Sequence, residues 1–120
     1  MNLKKSISAY QEALEIFTLK KYPDEYASTQ SYLSNAYFLM SDIRNREDNL
    51  NNAIAANLEA LKVFKINNSP GQYAKVNANM GAIYGNLAKV TEPAANLNKA
   101  QEFLNKSIKK ILGEKGGSIY

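Results

Sequence analysis

The sequence predicts an all-α fold, an antiparallel helix-pair solenoid with about five helices in a right-handed superhelical array. The chain starts a similar stretch at Asn2, at Asn49 and at Asn96, so that successive starts are 47 residues apart. Within each unit apolar residues recur at spacings of three and four, and the alternation typical of a half-buried strand is nowhere sustained. A fixed period in this range is typical of arrays in which each repeat packs on the next.

The composition limits the chemistry open to this chain. Its 120 residues are enough for one domain, and it contains no cysteine and no histidine. Thiol nucleophiles, disulfides, histidine acid–base catalysis and most zinc or haem sites are therefore excluded.

Glu12 and Glu15 follow the first lysines too soon for a secretory leader, and no apolar run is long enough to cross a membrane. We expect a soluble cytoplasmic protein, with no cofactor, no metal and no catalytic residue.

The positive charge is concentrated near the C-terminus. The formal net charge is +4, and residues 93–120 contain five lysines and two glutamates, which amounts to +3. We interpret this as a lysine-rich solvated face, with an acidic partner or nucleic acid as the alternative.

A repeated apolar stripe predicts the first, third and fifth helices, over 2–19, 46–66 and 93–112. In the first helix its members step by four, three, four and three residues, which places them on one face. They are Leu3, Ile7, Tyr10, Leu14 and Phe17. Asp48 or Asn49 could cap the third helix, and Pro93 lies in the first turn of the fifth, where its missing N–H costs nothing.

The second and fourth helices are predicted over 24–41 and 71–89. Their stripes repeat at the 47-residue offset: Tyr26, Thr29, Leu33, Ala36, Tyr37 and Met40, then Tyr73, Val76, Met80, Ile83, Tyr84 and Leu87. Pro23 and Pro70 break the preceding helices, so the next ones are expected to start one or two residues later. Glycines at 113–117 predict the end of the fifth helix and a flexible tail over 113–120.

Small side chains are predicted where helices cross, since they allow two helix axes to approach to about 8–10 Å. They are Ala9, Ala13, Ala53, Ala56, Ala60, Gly81 and Ala100. Glycine inside a helix costs about 1 kcal/mol relative to alanine. We therefore expect Gly81 at a close crossing that tolerates alanine but not leucine.

The segments YLSNAY at 32–37 and NMGAIY at 79–84 resemble the first helix of the tetratricopeptide repeat, whose pattern is L-G-x-x-Y. The matching places are Leu33, Ser34 and Tyr37, then Met80, Gly81 and Tyr84. The places of its second helix, A-x-x-x-[FY]-x-x-A, fall on Ala53, Asn57 and Ala60, then on Ala100, Leu104 and Ser107. The period of 47 exceeds the usual value of about 34, so the chain is similar to an extended-period variant.

The resemblance implies a repeat domain over 1–112. It would contain an unpaired second-type helix at 2–19 and two complete repeats at 24–66 and 71–112. Because the first helix has no partner before it, we expect either a piece of a longer repeat protein or an open face that a flanking element or another copy covers.

The resemblance also implies a protein–protein interaction scaffold, which binds a peptide or a helix of a partner protein on a concave face lined by first-type helices. The residues expected to face this ligand are Ser28, Ser31, Asn35, Phe38, Lys75, Asn79 and Ala82. Amide side chains can pair with a peptide backbone, and lysine with a carboxylate. Some family members clamp a terminal carboxylate, but Ser31 stands where they carry lysine, so that clamp is incomplete here.

The alternative is a structural self-assembly module that oligomerises through its terminal helices. The first helix would then form a homodimer through an exposed apolar face, made of Leu3, Ile7, Tyr10 and Leu14. Lysines of the last helix could cap the other end.

Tyrosines among lysines can stack on nucleic acid bases, but five of the eight tyrosines lie on the apolar stripes, which favours a core role. Paired catalytic acids and phosphate-binding loops are missing from the sequence, which argues against an enzyme.

Overall fold

The computed structural model describes residues 2–114, and the side chains of residues 2–109. Over this range the chain forms five α-helices and no strand, which confirms the all-α prediction. They are α1 (Leu3–Ile16), α2 (Pro23–Met40), α3 (Arg46–Ala60), α4 (Pro70–Leu87) and α5 (Pro93–Glu114). The helices fall into two compact units, Met1–Val63 with α1 to α3 and Phe64–Tyr120 with α4 and α5.

Several helix ends differ from the prediction. Pro23 and Pro70 are themselves the first residues of α2 and α4, because the first turn of a helix does not use the N–H that proline lacks. α1 and α3 end at Ile16 and Ala60, earlier than the expected 19 and 66. α5 continues to Glu114, so residues 113 and 114 are helical and do not belong to a tail, and the rest of the predicted tail lies outside the described residues.

The turn before α3 shows why an asparagine recurs at each start. Asn45, not the predicted Asp48 or Asn49, precedes the helix, and its φ of 45° places it in the left-handed region. Four residues later, Asn49 Nδ2 donates a hydrogen bond of 2.9 Å to the carbonyl oxygen of Arg44. The asparagine thus closes the turn from inside the helix, where it satisfies a carbonyl that the reversal of the chain leaves unpaired.

The same turn recurs before α5. Glu92 has a φ of 41°, and Asn96 Nδ2 donates a bond of 2.8 Å to the carbonyl of Thr91. At the first start, Asn2 instead caps α1 by accepting a bond of 3.1 Å from the N–H of Lys5. One residue type therefore serves two local structures, since the amide group both donates and accepts.

In the first unit α2 contacts both α1 and α3. Ser34 Oγ, in the middle of α2, donates a bond of 2.7 Å to the carbonyl of Ala53 in the middle of α3. Ala27, near the start of α2, and Ala60, at the end of α3, are fully buried. The two helices are antiparallel, because Tyr26 near the start of α2 donates a hydrogen bond to Glu59 near the end of α3. Short side chains at the crossing let the two backbones approach closely.

The second unit is a helical hairpin of α4 and α5. Ser107 Oγ donates a bond of 2.8 Å to the carbonyl of Ala74. The rings of Tyr84 and Phe103 stack with their centroids 5.6 Å apart and an interplanar angle of 8°. Met80 is completely buried, and it contributes to the core together with its neighbours on the predicted stripe of α4.

Five of the seven predicted small residues are buried, as expected at crossings: Ala53, Ala56, Ala60, Gly81 and Ala100. Ala13 is half-buried. Ala9 is exposed, so its predicted packing role is wrong. At the equivalent positions, Ala56 and Phe103 are buried where α3 and α5 pack on α2 and α4, whereas Ala9 lies on a side of α1 that α2 does not cover.

Gly81 lies at a close crossing with α5. A Cβ atom at this position would lie 2.6 Å from Leu104 Cγ and 3.4 Å from the carbonyl oxygen of Ala100. An alanine therefore fits only if the Leu104 side chain moves, which corrects the expectation that alanine is freely tolerated. At the equivalent positions of the first unit, Ser34 and Asn57 stand in place of glycine and leucine.

We expect Gly81→Leu to lower the free energy of unfolding by about 1–3 kcal/mol through overpacking. Gly81→Ala should be close to neutral, because the clash with Leu104 offsets the gain of about 1 kcal/mol in helix propensity. That gain should appear fully in Gly85→Ala, the matched control, since nothing lies within 4 Å of a Cβ there. Urea denaturation of Gly81→Ala, Leu104→Ala and the double variant measures the coupling between the two positions. If the two changes in the free energy of unfolding simply add, the close crossing is contradicted.

Asn57 offers a second test of the core. It is 1% exposed, and neither Nδ2 nor Oδ1 has a hydrogen-bond partner among the described residues. An unpaired buried amide costs about 1–3 kcal/mol, and leucine occupies the equivalent position 104. We expect Asn57→Leu to raise the free energy of unfolding by about 1 kcal/mol.

The matched control for Asn57 is Asn77→Leu. Asn77 is equally buried, but its Nδ2 donates a bond of 2.9 Å to the carbonyl of Tyr73, so this change should stabilise less or not at all. Urea denaturation at one pH compares the free energies of unfolding of Asn57→Leu and Asn77→Leu. A loss of stability in Asn57→Leu would show that the site cannot accept a leucine.

Candidate binding groove on the first unit

The seven residues predicted to face a ligand divide between the two units. Four lie on α2 (Ser28, Ser31, Asn35 and Phe38) and three on α4 (Lys75, Asn79 and Ala82). Asn35, Lys75 and Ala82 are exposed, and the other four are half-buried. Of the residues on α2, Asn35 lines a concave stretch between α1 and α2, and Ser28 lines a neighbouring one nearer the start of α2.

The stretch that Asn35 lines is largely apolar. We call it the α1–α2 groove, and its residues are Leu3, Ser6, Tyr10, Tyr32, Asn35, Ala36 and Leu39. The rings of Tyr10 and Tyr32 lie across it with centroids 5.9 Å apart. Tyr32 and Leu39 are 56% and 50% exposed, which is high for side chains of this size. Ser6 and Asn35 place a hydroxyl and an amide among them.

The two ends of the groove carry opposite charges. At the Phe17 end, the wall includes Asp24 and Glu25 beside Tyr32. At the other end, Lys4 and Arg44 lie beside Leu3. Tyr32 lines both the acidic stretch and the α1–α2 groove, and Leu3 lines both the groove and the basic stretch, so the three stretches are neighbours.

The apolar stripe of α1 is not left open. Leu3, Ile7, Tyr10 and Leu14 are all half-buried, and α1 packs on α2 with Gln11 Nε2 donating a bond of 3.1 Å to the Tyr37 hydroxyl. The stripe therefore covers the following helix, and two of its members line the groove. Self-association through these four residues stays a prediction.

Sequence reasoning missed the two most exposed apolar groups of the groove, Tyr32 and Leu39. Both lie off the main stripe of α2, so the sequence pattern predicts neither a core position nor a ligand-facing one for them. The signal was available, because two large apolar residues seven positions apart share one side of a helix.

A polar cluster joins α2 to α3 outside the groove. The Tyr26 hydroxyl donates to Glu59 Oε1, and Lys62 Nζ lies 2.6 Å from Glu59 Oε2. Hydrogen bonds from Lys62 and then from Tyr26 hold the pKa of the Glu59 carboxyl below its usual value. Burial and the bond to Glu59 raise the pKa of the Tyr26 hydroxyl. A carboxylate held ionised in this way is a weak base, so the cluster suits helix attachment better than proton transfer.

Comparison with known proteins finds no match for the chain among family models, curated sequences or solved structures. Within residues 2–114, none of the helices combines the length and the apolar character needed to span a bilayer. The described side chains include no group of three or more acidic, histidine or cysteine residues that could hold a metal ion.

The lowered pKa of Glu59 predicts a pH-dependent contribution to stability. Because the pKa is lower in the folded chain than in the unfolded one, the contribution is present above the unfolded value of about 4.5 and is lost as the pH falls through the folded pKa. Glu59→Gln should therefore lower the free energy of unfolding by about 1 kcal/mol at pH 7, a modest figure because solvent screens this partly exposed pair.

At pH 3 the Glu59→Gln substitution should lower the free energy of unfolding by less than it does at pH 7. Urea denaturation at both pH values measures the difference. The matched control is Glu12→Gln, at the equivalent position on α1, which forms no ion pair among the described residues. An equal effect of the two substitutions at both pH values would contradict the role of the cluster.

Proposed function

We propose that this chain is a protein-interaction module that binds an extended peptide segment of a partner protein in the α1–α2 groove. The observation that carries the proposal is the pair of exposed apolar side chains, Tyr32 and Leu39, beside half-buried Tyr10 and Leu3. Tyrosine combines a large apolar ring with a polar tip and is enriched among the side chains that dominate binding energy.

The polar groups of the groove favour an extended ligand over a helical one. A bound helix has already satisfied its backbone, whereas an extended peptide presents free N–H and C=O groups. The exposed amide of Asn35 can donate and accept, and Ser6 adds a hydroxyl. From Glu25 to Leu39 the helix rises about 21 Å, which an extended peptide covers with about six or seven residues.

The charged ends give the ligand a direction. A basic residue of the peptide would lie near Asp24 and Glu25, and an acidic residue or a terminal carboxylate near Lys4 and Arg44. A peptide bound in the reverse direction would place like charges together, which weakens its affinity. The charged ends therefore favour one orientation of the ligand.

A tetratricopeptide-like, right-handed array of helix pairs is part of the same proposal. Its support is that the two hairpins use equivalent positions, with Ser34 meeting Ala53 in one and Gly81 meeting Ala100 in the other. Repeats of this kind present their first-type helices, here α2 and α4, to ligands.

The test is a selection from a random peptide library on the immobilised chain, followed by fluorescence anisotropy of the enriched peptides. We expect enriched peptides to carry apolar residues flanked by one basic and one acidic end. Tyr32→Ala and Leu39→Ala should each weaken binding at least tenfold, since each removes an exposed apolar anchor worth about 1–3 kcal/mol. Leu58→Ala, a matched change of an exposed leucine on α3, should leave the affinity unchanged.

Two results would overturn this proposal. One is a selection that enriches no peptide, or enriches the same peptides on the double variant Tyr32→Ala with Leu39→Ala. The other is concentration-dependent sedimentation of the parent chain that Leu39→Ala abolishes. In that case the groove holds a second copy, and the chain is a self-assembly module.

A further inference from the structure

We infer that the second unit binds an acidic segment of a partner protein at a cluster formed by Tyr73, Lys106 and Lys109. We call these three residues the basic cluster. The tyrosine lies near the start of α4 and is half-buried, and the two lysines lie on α5 and are exposed. All three belong to the second unit, so the site is independent of the α1–α2 groove in the first.

The basic cluster stands at the repeat positions of the polar cluster that joins α2 to α3. At the 47-residue offset, Tyr73 corresponds to Tyr26, Lys106 to Glu59 and Lys109 to Lys62. In the first unit the Glu59 carboxylate accepts a bond from the Tyr26 hydroxyl and lies 2.6 Å from Lys62 Nζ. The second unit keeps the hydroxyl and one lysine but has a second lysine in place of the carboxylate. The cluster therefore holds three groups that can donate to an anion and no acid.

The helix packing places the two clusters at the same level of their hairpins. In the second unit Ser107 Oγ donates a bond of 2.8 Å to the carbonyl of Ala74. The basic cluster has one member next to each of these two residues. The equivalent positions of the first unit, Ala27 and Ala60, are fully buried. An anion in the place of the missing carboxylate would therefore lie within reach of the basic cluster.

The first of the two lysines is positioned by an aromatic ring. Lys106 Nζ lies 4.8 Å from the centroid of the Phe103 ring, which is buried and stacks on Tyr84. A cation held over a packed ring loses less conformational freedom when it binds an anion. Lys106 and Lys109 form no ion pair among the described side chains. Like charges three residues apart on a helix repel each other, and a bound anion relieves that repulsion.

The charge of the chain is distributed in the same sense. Residues 1–63 contain seven basic and eight acidic residues, a net charge of −1, whereas residues 64–120 contain eight lysines and three glutamates, a net charge of +5. The two lysine positions of the cluster carry Glu12 and Glu15 in α1, so this pair has a charge of −2 in α1, zero in α3 and +2 in α5. The second unit therefore attracts anionic ligands.

The chemistry of the unit favours a protein carboxylate over a nucleic acid. The anion at the equivalent place in the first unit is a glutamate side chain. The described aromatic side chains of the second unit are all buried or half-buried, so they offer no exposed ring on which a base could stack. A second copy of this chain fits less well, because α1 has as many lysines as glutamates and exposed ion pairs contribute little. The ligand is therefore a run of aspartate or glutamate residues.

The test measures the binding of a fluorescein-labelled hexaglutamate peptide to the full chain by fluorescence anisotropy at low salt. We expect Lys106→Glu to weaken binding by about tenfold or more, because it removes a cation and supplies Lys109 with an internal carboxylate, as Glu59 does for Lys62. Tyr73→Phe removes only the hydroxyl and should weaken binding about threefold. Lys106 is exposed, so Lys106→Glu should fold, as thermal denaturation can verify.

Two controls separate this site from a general effect of charge. Lys89→Glu makes the same change in net charge at an exposed lysine after α4, outside the cluster, and should weaken binding by no more than about twofold. A hexaglutamine peptide should not bind the parent. Peptides selected on the α1–α2 groove should bind the Lys106→Glu variant as they bind the parent, so failure of one site is distinguished from failure of the other.

Four results would overturn the inference. Absence of hexaglutamate binding at low salt is one, and an equal loss of affinity in Lys106→Glu and Lys89→Glu, which would show attraction by net charge alone, is another. Tighter binding of a thymidine oligonucleotide with the same number of negative charges would make a nucleic acid the ligand. Sedimentation of the parent as a dimer that Lys106→Glu converts to a monomer would make a second copy the occupant.

Discussion

The close approach of two helix backbones within each hairpin is the constraint on which the rest of the structure depends. In the first unit Ser34 reaches the carbonyl of Ala53, and in the second the backbone of Gly81 lies against Ala100 and Leu104. Small side chains at these crossings leave room for nothing larger, so they fix which face of each helix turns inward. A second row of large residues on the odd-numbered helices is displaced from the crossing to a neighbouring face.

That displaced face is where the copies differ, and the difference separates core from exposed surface. On α1 it covers α2 only in part and leaves the α1–α2 groove. On α3 the equivalent face is buried, and on α5 it is exposed as Leu97, Leu104 and Ile108. One sequence pattern therefore produces a groove, a core and an open stripe, according to what each helix meets.

Polar residues vary between the copies more than apolar ones. Tyr26, Glu59 and Lys62 form a cluster in the first unit. At the equivalent positions of the second unit stand Tyr73, Lys106 and Lys109, and Lys106 Nζ lies 4.8 Å from the centroid of the Phe103 ring instead. An ion pair on an exposed helix contributes little to stability, so the repeat tolerates its loss while the buried crossing positions stay small.

The sequence by itself determined the number of helices, most of their bounds and the small residues at the hairpin crossings, because helical periodicity and turn chemistry are local. It also predicted Asn35 and Ser28 as ligand-facing residues of α2, which stays a prediction. Only the tertiary structure decided that Ala9 is exposed, that Leu3 and Tyr10 line a groove with Tyr32 and Leu39, and that α5 keeps an open stripe. The same residue at the same repeat position is buried or exposed according to whether another helix packs on it, and that information lies in distant segments of the chain.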